Sequence, residues 1–435
     1  MKSNLVALTT VLVLLFIEQI VYGMFYSDLS FITQSFFPGM DKKKLGYYAG
    51  YLLSAFYLGQ LPGSVFWGWL ADKCGRKKPL MVIVFLDAIC VLSFAFLQNY
   101  YVAVAVRFVW GFLDGHYPLV KTLATDYSTE ENVALHTSFL FVSVSFGNAI
   151  APLLGGYFSD PEHISDWLLR LFPILRTKQF CLPFLICGLL LFLCLFFVIL
   201  FVTETKNDKD TLLADSPPPV SLFNTWVLLA IVLYGFEALM QCSYDSLISL
   251  WLSTDRSLGG FGWDAQRIGN YLCFVCPMQA MNLVLFPVLV KACGAARTYR
   301  VIVSIQTVVL FVTPLISYCA MSTATVSALY VFMSSFHLCR VIFRLHATSA
   351  IVLIADHSEK NNRGKLYGIS QMICGSGRFI GPPCLTSLFA WSIQSSRPFP
   401  IDHCLSFFVL ATVSVSNIVI AWFIPSCVCF FKQGE

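Results

Sequence analysis

Charge is what this 435-residue chain has least of. Asp, Glu, Lys and Arg together make up 12% of it, against 57% hydrophobic residues. A soluble domain cannot cover its surface with so few charges, and the mean hydropathy of +0.73 points to a chain buried in lipid along most of its length. The net charge of +4 is small and scattered over short loops, so no basic surface for nucleic acid exists. No glycine-rich phosphate loop occurs, which excludes direct nucleotide drive. No nucleophile, base and orienting group can be assembled from the spacing, so the chain does not read as an enzyme. The 16 cysteines lie mostly inside apolar runs. Cys273 and Cys276 form a CxxC with no second pair or histidine at ligand spacing, so they read as small buried side chains and no metal site is expected. The first apolar run, Leu5 to Phe25, has no small-residue cleavage site before Glu18 and reads as a retained span.

What is present is a series of long apolar runs. Twelve are long enough to cross a bilayer as helices, near 4–27, 45–70, 79–97, 100–122, 137–158, 180–202, 226–252, 268–290, 301–321, 325–355, 366–391 and 404–430. A polar, Pro-rich stretch, Glu204 to Pro219, separates the sixth from the seventh. The expected fold is an all-α membrane protein of twelve transmembrane helices in two pseudo-symmetric six-helix bundles. Its parts are an N-terminal bundle at 1–203, a cytoplasmic linker at 204–225 and a C-terminal bundle at 226–435. Lys and Arg number 14 in loops and termini on the side of the N-terminus, 9 on the other side and 5 within spans, which places both termini in the cytoplasm. The halves resemble each other: at an offset of 230, His116, Asp126, Ser128, Gly147 and Pro152 fall on His346, Asp356, Ser358, Gly377 and Pro382. Such repeats place a site near the bilayer midplane.

A charge in hydrocarbon costs about 2.5–3.5 kcal/mol on insertion scales unless it faces a cavity or a partner. Here nearly all of them fall on one helix in three. The first helix carries Glu18; the fourth Arg107, Asp114, His116 and Lys121; the seventh Glu237 and Asp245; the tenth His337, Arg340, Arg344 and His346. Asp87 and Arg378, on the third and eleventh helices, fall outside this set and read as structural partners. On a continuous fourth helix Arg107, Gly111, Asp114, Pro118 and Lys121 share a narrow stripe. Substrate and proton coupling are therefore expected at Glu18, Arg107, Asp114, Lys121, Glu237, Asp245, His337, Arg340 and Arg344. Glu18 is the first candidate proton carrier. Arg107 with Asp114 can be a transport pair or a static one.

Four strings carry a family resemblance. GWLADKCGRKK, from Gly68, joins the second and third helices; RFVWG, from Arg107, lies in the fourth; GNAIAPLLGG, from Gly147, lies in the fifth and GRFIGP, from Gly377, in the eleventh. Together they resemble the major facilitator superfamily, and the longer stretches around Gly46 and Arg107 are similar to its zinc-induced facilitator-like branch of drug:proton antiporters. The resemblance implies a conformational charge relay at Gly68, Asp72, Gly75 and Arg76, with the acid and the arginine engaging a helix end across the pseudo-twofold axis and the glycines giving close approach. It also implies a bend and tight packing at Gly147, Pro152, Gly155, Gly156, Gly377, Gly381 and Pro382. Gln60 and Asp114 depart from the group, which has Arg and Asn there, and the Cys-rich N-terminus and His-rich central loop of its plant members are absent. The implied activity is proton-coupled export of a small organic solute by a monomer in a lipid bilayer, driven by the proton gradient with no cofactor. A nutrient importer of the same fold and a non-transporting membrane receptor are the alternatives.

Overall fold

The computed structural model describes residues 2–128, 132–159, 166–171, 175, 180–205, 225–273, 288–290, 292–322, 350, 353–354, 363–394 and 397–424. These are helical almost throughout, with no strand among them. The helices are α1 (Lys2–Ser27), α2 (Leu29–Ser35), α3 (Leu45–Cys74), α4 (Lys77–Phe94), α5 (Tyr100–Leu113), α6 (His116–Asp126), α7 (Val133–Phe158), α8 (Asp166–Leu171), α9 (Cys181–Phe201), α10 (Thr225–Ser253), α11 (Ala295–Ser322), α12 (Arg363–Gln394) and α13 (Leu405–Phe423). Among the described residues five stretches are long and apolar enough to span a membrane by themselves: Leu5–Ser27, Cys181–Phe201, Thr225–Ser253, Ala296–Leu315 and Leu405–Phe423. Leu189, Leu193, Phe196 and Leu200 of α9 recur at helical spacing and are exposed, an apolar stripe that suits lipid and no aqueous surface.

The chain divides into two compact units. Unit 1 comprises Met1–Met40, Tyr51–Pro217 and Trp263–Cys276; unit 2 comprises Asp41–Gly50, Pro218–Gly262 and Pro277–Glu435. In unit 1, Phe25, Phe94, Trp110 and Phe184 pack edge-on or tilted with ring centroids 5.3–6.1 Å apart, locking α1, α4, α5 and α9 together. In unit 2, α10, α11, α12 and α13 share a core that includes Leu233, Tyr299, Val303, Cys374 and Ala421. Trp251 anchors its far end, donating to the Gly259 carbonyl at 2.8 Å and meeting the Phe407 ring at 4.8 Å.

Two expected boundaries change. The second span does not stop at residue 70: α3 runs on to Cys74 and α4 starts at Lys77, so Asp72 lies within a helical turn and the reversal contracts to Gly75 and Arg76. Lys73 in the last turn of α3 complements its C-terminal dipole, and Pro79 sits in the first turn of α4, where no backbone donor is needed. The fourth span is not one helix. α5 ends at Leu113, Asp114 leaves helical geometry (φ −69°, ψ 54°) and α6 begins at His116. Such a break frees carbonyls that hydrocarbon cannot satisfy. The Trp67 indole donates to one of them, Phe112 O, at 2.7 Å, and so makes the break tolerable.

Candidate functional site

Small residues bring the helices of unit 1 close enough to build a site. Where α5 crosses α3, a Cβ at Gly111 would overlap the Phe56 carbonyl, and Cβ atoms at Gly59 and Gly63 would overlap the Phe108 and Phe112 carbonyls. This interlock explains the glycine that ends RFVWG. α7 lies on α1 through Gly147, Ala151 and Gly155, spaced four apart on one face, which meet Phe16 and Gln19, then Gly23, then Met24 and Asp28. Gly156 and Pro152 approach Ala265 and Gly269, around the start of the eighth span. In unit 2 the corresponding glycines act alike: Gly377 meets the Gly235 carbonyl of α10, and Gly381, before the buried Pro382, meets Leu239 and Ser243.

The helix so clamped carries Glu18, buried at 3% exposure. Across from it stand Asp87 of α4, 1% exposed, and His116 at the start of α6, 7% exposed, with one ligating atom of each within 4.8 Å of the others. Glu18 Oε1 and Asp87 Oδ1 have no hydrogen-bond partner among the described residues. Asp114 joins the group through the helix break, its Oδ1 3.2 Å from His116 Nδ1 while its Oδ2 accepts from the Gln60 amide. The two positions that depart from the related branch are thus each other's partner.

Arg107 lies in the same unit, 1% exposed. It forms no ion pair among the described residues. Its guanidinium instead sits over the rings of Phe25, Phe56 and Trp110, at 3.8, 4.5 and 4.7 Å from their centroids. Its Nε and Nη2 donors have no hydrogen-bond partner among the described residues. An aromatic cage holds the charge by cation–π attraction while leaving donors available. Tyr22, Tyr26 and Tyr57 form a hydrogen-bonded hydroxyl cluster near Phe56.

The other expected residues lie elsewhere. Lys121 is exposed on α6, since the break rotates it off the Arg107 stripe. Glu237 is buried and Asp245 half-buried on α10, in unit 2. His337, Arg340 and Arg344 fall outside the described residues, as does the side chain of Asp72. Gly68 is exposed, with no described atom within 4 Å of a Cβ built on it. Sequence reasoning missed Asp87 and His116 as members of the cluster. Their signals were the Asp114-Gly115 dipeptide, a turn former inside an apparent span, and the rule that a buried carboxylate needs company.

At one end of unit 1, Gly75 takes φ 85° and lets the Glu204 carboxylate cap α4, accepting from Arg76 N at 2.8 Å and Lys77 N at 3.0 Å. The Arg76 guanidinium pairs with Asp126, at the end of α6, and donates to Thr205 at 3.3 Å. Tyr127 beside it donates to Thr203 O at 2.6 Å, and burial pushes its hydroxyl pKa up. Arg76 and Asp126 are each about a quarter exposed, so the pair contributes about 1 kcal/mol or less. Arg76→Ala and Asp126→Asn are each expected to lower thermal stability slightly, and the double variant to fall no lower than either alone. Additive losses in a double-mutant cycle would show that the two do not act as a pair.

Residues 11–382 match the profile of the Major Facilitator Superfamily. "Protein ZINC INDUCED FACILITATOR-LIKE 1" of Arabidopsis thaliana is 24% identical over 95% of this chain and 90% of its own length. "Major facilitator superfamily multidrug transporter mfsB" of Aspergillus fumigatus is 23% identical over 87% of this chain and 77% of its own. Among solved structures, a D-xylose–proton symporter superposes with a TM-score of 0.76 at 14% identity, covering 97% of this chain and 98% of its own, a likeness of fold alone. The fold is therefore twelve transmembrane helices in two bundles, and the chain is an integral membrane transporter belonging to the Major Facilitator Superfamily.

Proposed function

We propose that the protein is a proton-coupled antiporter that exports a small organic solute by alternating access, as a monomer with both termini in the cytoplasm. The observation that carries this reading is the buried pair Glu18 and Asp87 in unit 1, each with a carboxylate oxygen lacking a partner among the described residues. Two carboxylates in apolar surroundings take up protons reversibly at a cost that a bound solute shifts. Arg107, whose guanidinium keeps donors free beside aromatic faces, suits the carboxylate of an organic anion or zwitterion. The relative named as a multidrug transporter supports export over import.

The test is solute movement in proteoliposomes under an imposed pH gradient, with a panel of amino acids, polyamines, organic anions and drug-like cations. Antiport predicts that an acidic lumen drives accumulation of a panel member, and that reversing the gradient reverses the movement. Accumulation driven by an acidic exterior instead would identify a symporter and overturn the export reading.

A further inference from the structure

We propose that Glu18, Asp87 and His116 form a binding site for a divalent first-row transition cation such as Zn²⁺. Three separate helices, α1, α4 and α6, deliver the three side chains to one point, and all three are buried. Their ligating atoms lie within 4.8 Å of one another. Tetrahedral ligands at about 2.0–2.1 Å from a shared metal lie about 3.4 Å apart, so side-chain adjustments of up to about one ångström each complete the site. Glu18 Oε1 and Asp87 Oδ1 have no other partner among the described residues, which is costly in a dry interior and is relieved by a cation. Two carboxylate oxygens with one imidazole nitrogen suit Zn²⁺, Mn²⁺ or Co²⁺. They suit Ca²⁺ and Mg²⁺ poorly, since those ions prefer oxygen alone, and Cu⁺ poorly, since it prefers sulfur.

The surroundings agree. Asp114 Oδ1 lies 3.2 Å from His116 Nδ1, close enough that a small rotation of the ring would let an outer carboxylate orient the imidazole, and Gln60 in turn holds Asp114. Counted formally, Glu18, Asp87 and Asp114 carry three negative charges and Arg107 one positive. The difference, minus two, equals the charge of one dication. The inference shares Glu18 and Asp87 with the proton-coupling reading but is tested by binding alone, so either can fail without the other.

The test uses the purified full-length protein in lipid nanodiscs. Co²⁺ is titrated while its visible ligand-field absorption is followed, then competed with Zn²⁺ and separately with Mg²⁺. The only other such cluster among the described residues, Asp402, His403 and Cys404, is controlled by a His403→Gln variant. The expected result is a saturable band that Zn²⁺ displaces and Mg²⁺ does not, weakened at least tenfold in His116→Gln and in Asp87→Asn and unchanged in His403→Gln. No saturable band, or one lost only in His403→Gln, overturns the proposal. Should the variants fail to fold, X-ray absorption on the Zn²⁺-loaded wild-type protein decides. A shell of nitrogen and oxygen at about 2.0–2.1 Å supports the site, and sulfur at about 2.3 Å overturns it.

Discussion

Gly111→Val is expected to destabilise the protein by about 3 kcal/mol, at the upper end for overpacking, and to abolish transport. The reason is that the obstacle is backbone. A Cβ at Gly111 would overlap the Phe56 carbonyl, while Gly59 and Gly63 receive the Phe108 and Phe112 carbonyls from the other direction. No side-chain rotation relieves such a clash, so α3 and α5 must separate. Arg107, one turn before Gly111, then leaves its cage of Phe25, Phe56 and Trp110. Gly68, on the same helix as Gly59 and Gly63, supplies the control. Gly68→Ala meets no described atom within 4 Å and should change stability by no more than about 0.5 kcal/mol. Thermal unfolding in detergent checks both. Equal losses at the two positions would show that the crossing is not the constraint.

Arg107→Lys is the second large expectation. The variant keeps the charge, and it should fold with a melting temperature near that of the wild type. Transport should nonetheless fall by about 10- to 100-fold. The planar guanidinium sits over three rings at 3.8–4.7 Å with no partner for its Nε and Nη2 among the described residues, an arrangement a compact ammonium cannot reproduce. A desolvated cation–π contact is worth about 2 kcal/mol or more, and the loss of one such contact corresponds to that range. Arg107→Gln should in addition destabilise the protein, because it removes a buried cation from the unit that holds Glu18, Asp87 and Asp114. Transport assays paired with melting curves separate the two effects. Wild-type transport in Arg107→Lys would mean that only charge is needed there.

Glu18 and Arg107 were legible in the sequence because a charge in a long apolar run costs too much to be incidental. The spans were legible for the same reason of composition, and the glycine strings gave the helix crossings. Asp87 and His116 were not. A single fourth helix of period 3.6 puts Lys121 on the stripe of Arg107 and leaves His116 off it. The Asp114-Gly115 break re-phases everything after it: Lys121 turns outward to an exposed position and His116 turns toward Glu18. Asp87 sits on a span with no other interior charge, and periodicity within one helix cannot reveal a partner on another. The Gln60–Asp114 contact was half visible, since both residues departed from the related branch, but only tertiary structure shows that one departure answers the other.

The most direct test of proton coupling through unit 1 is proton flux itself, followed with a pH-sensitive dye inside proteoliposomes while a transported solute is added. Wild-type protein should move protons on addition of solute. Glu18→Gln should lose that flux while retaining its melting temperature, because the amide fills the same volume beside Asp87 without carrying a proton. Solute movement without proton flux, equal in wild type and Glu18→Gln, would contradict the coupling and leave a facilitated carrier of the same fold.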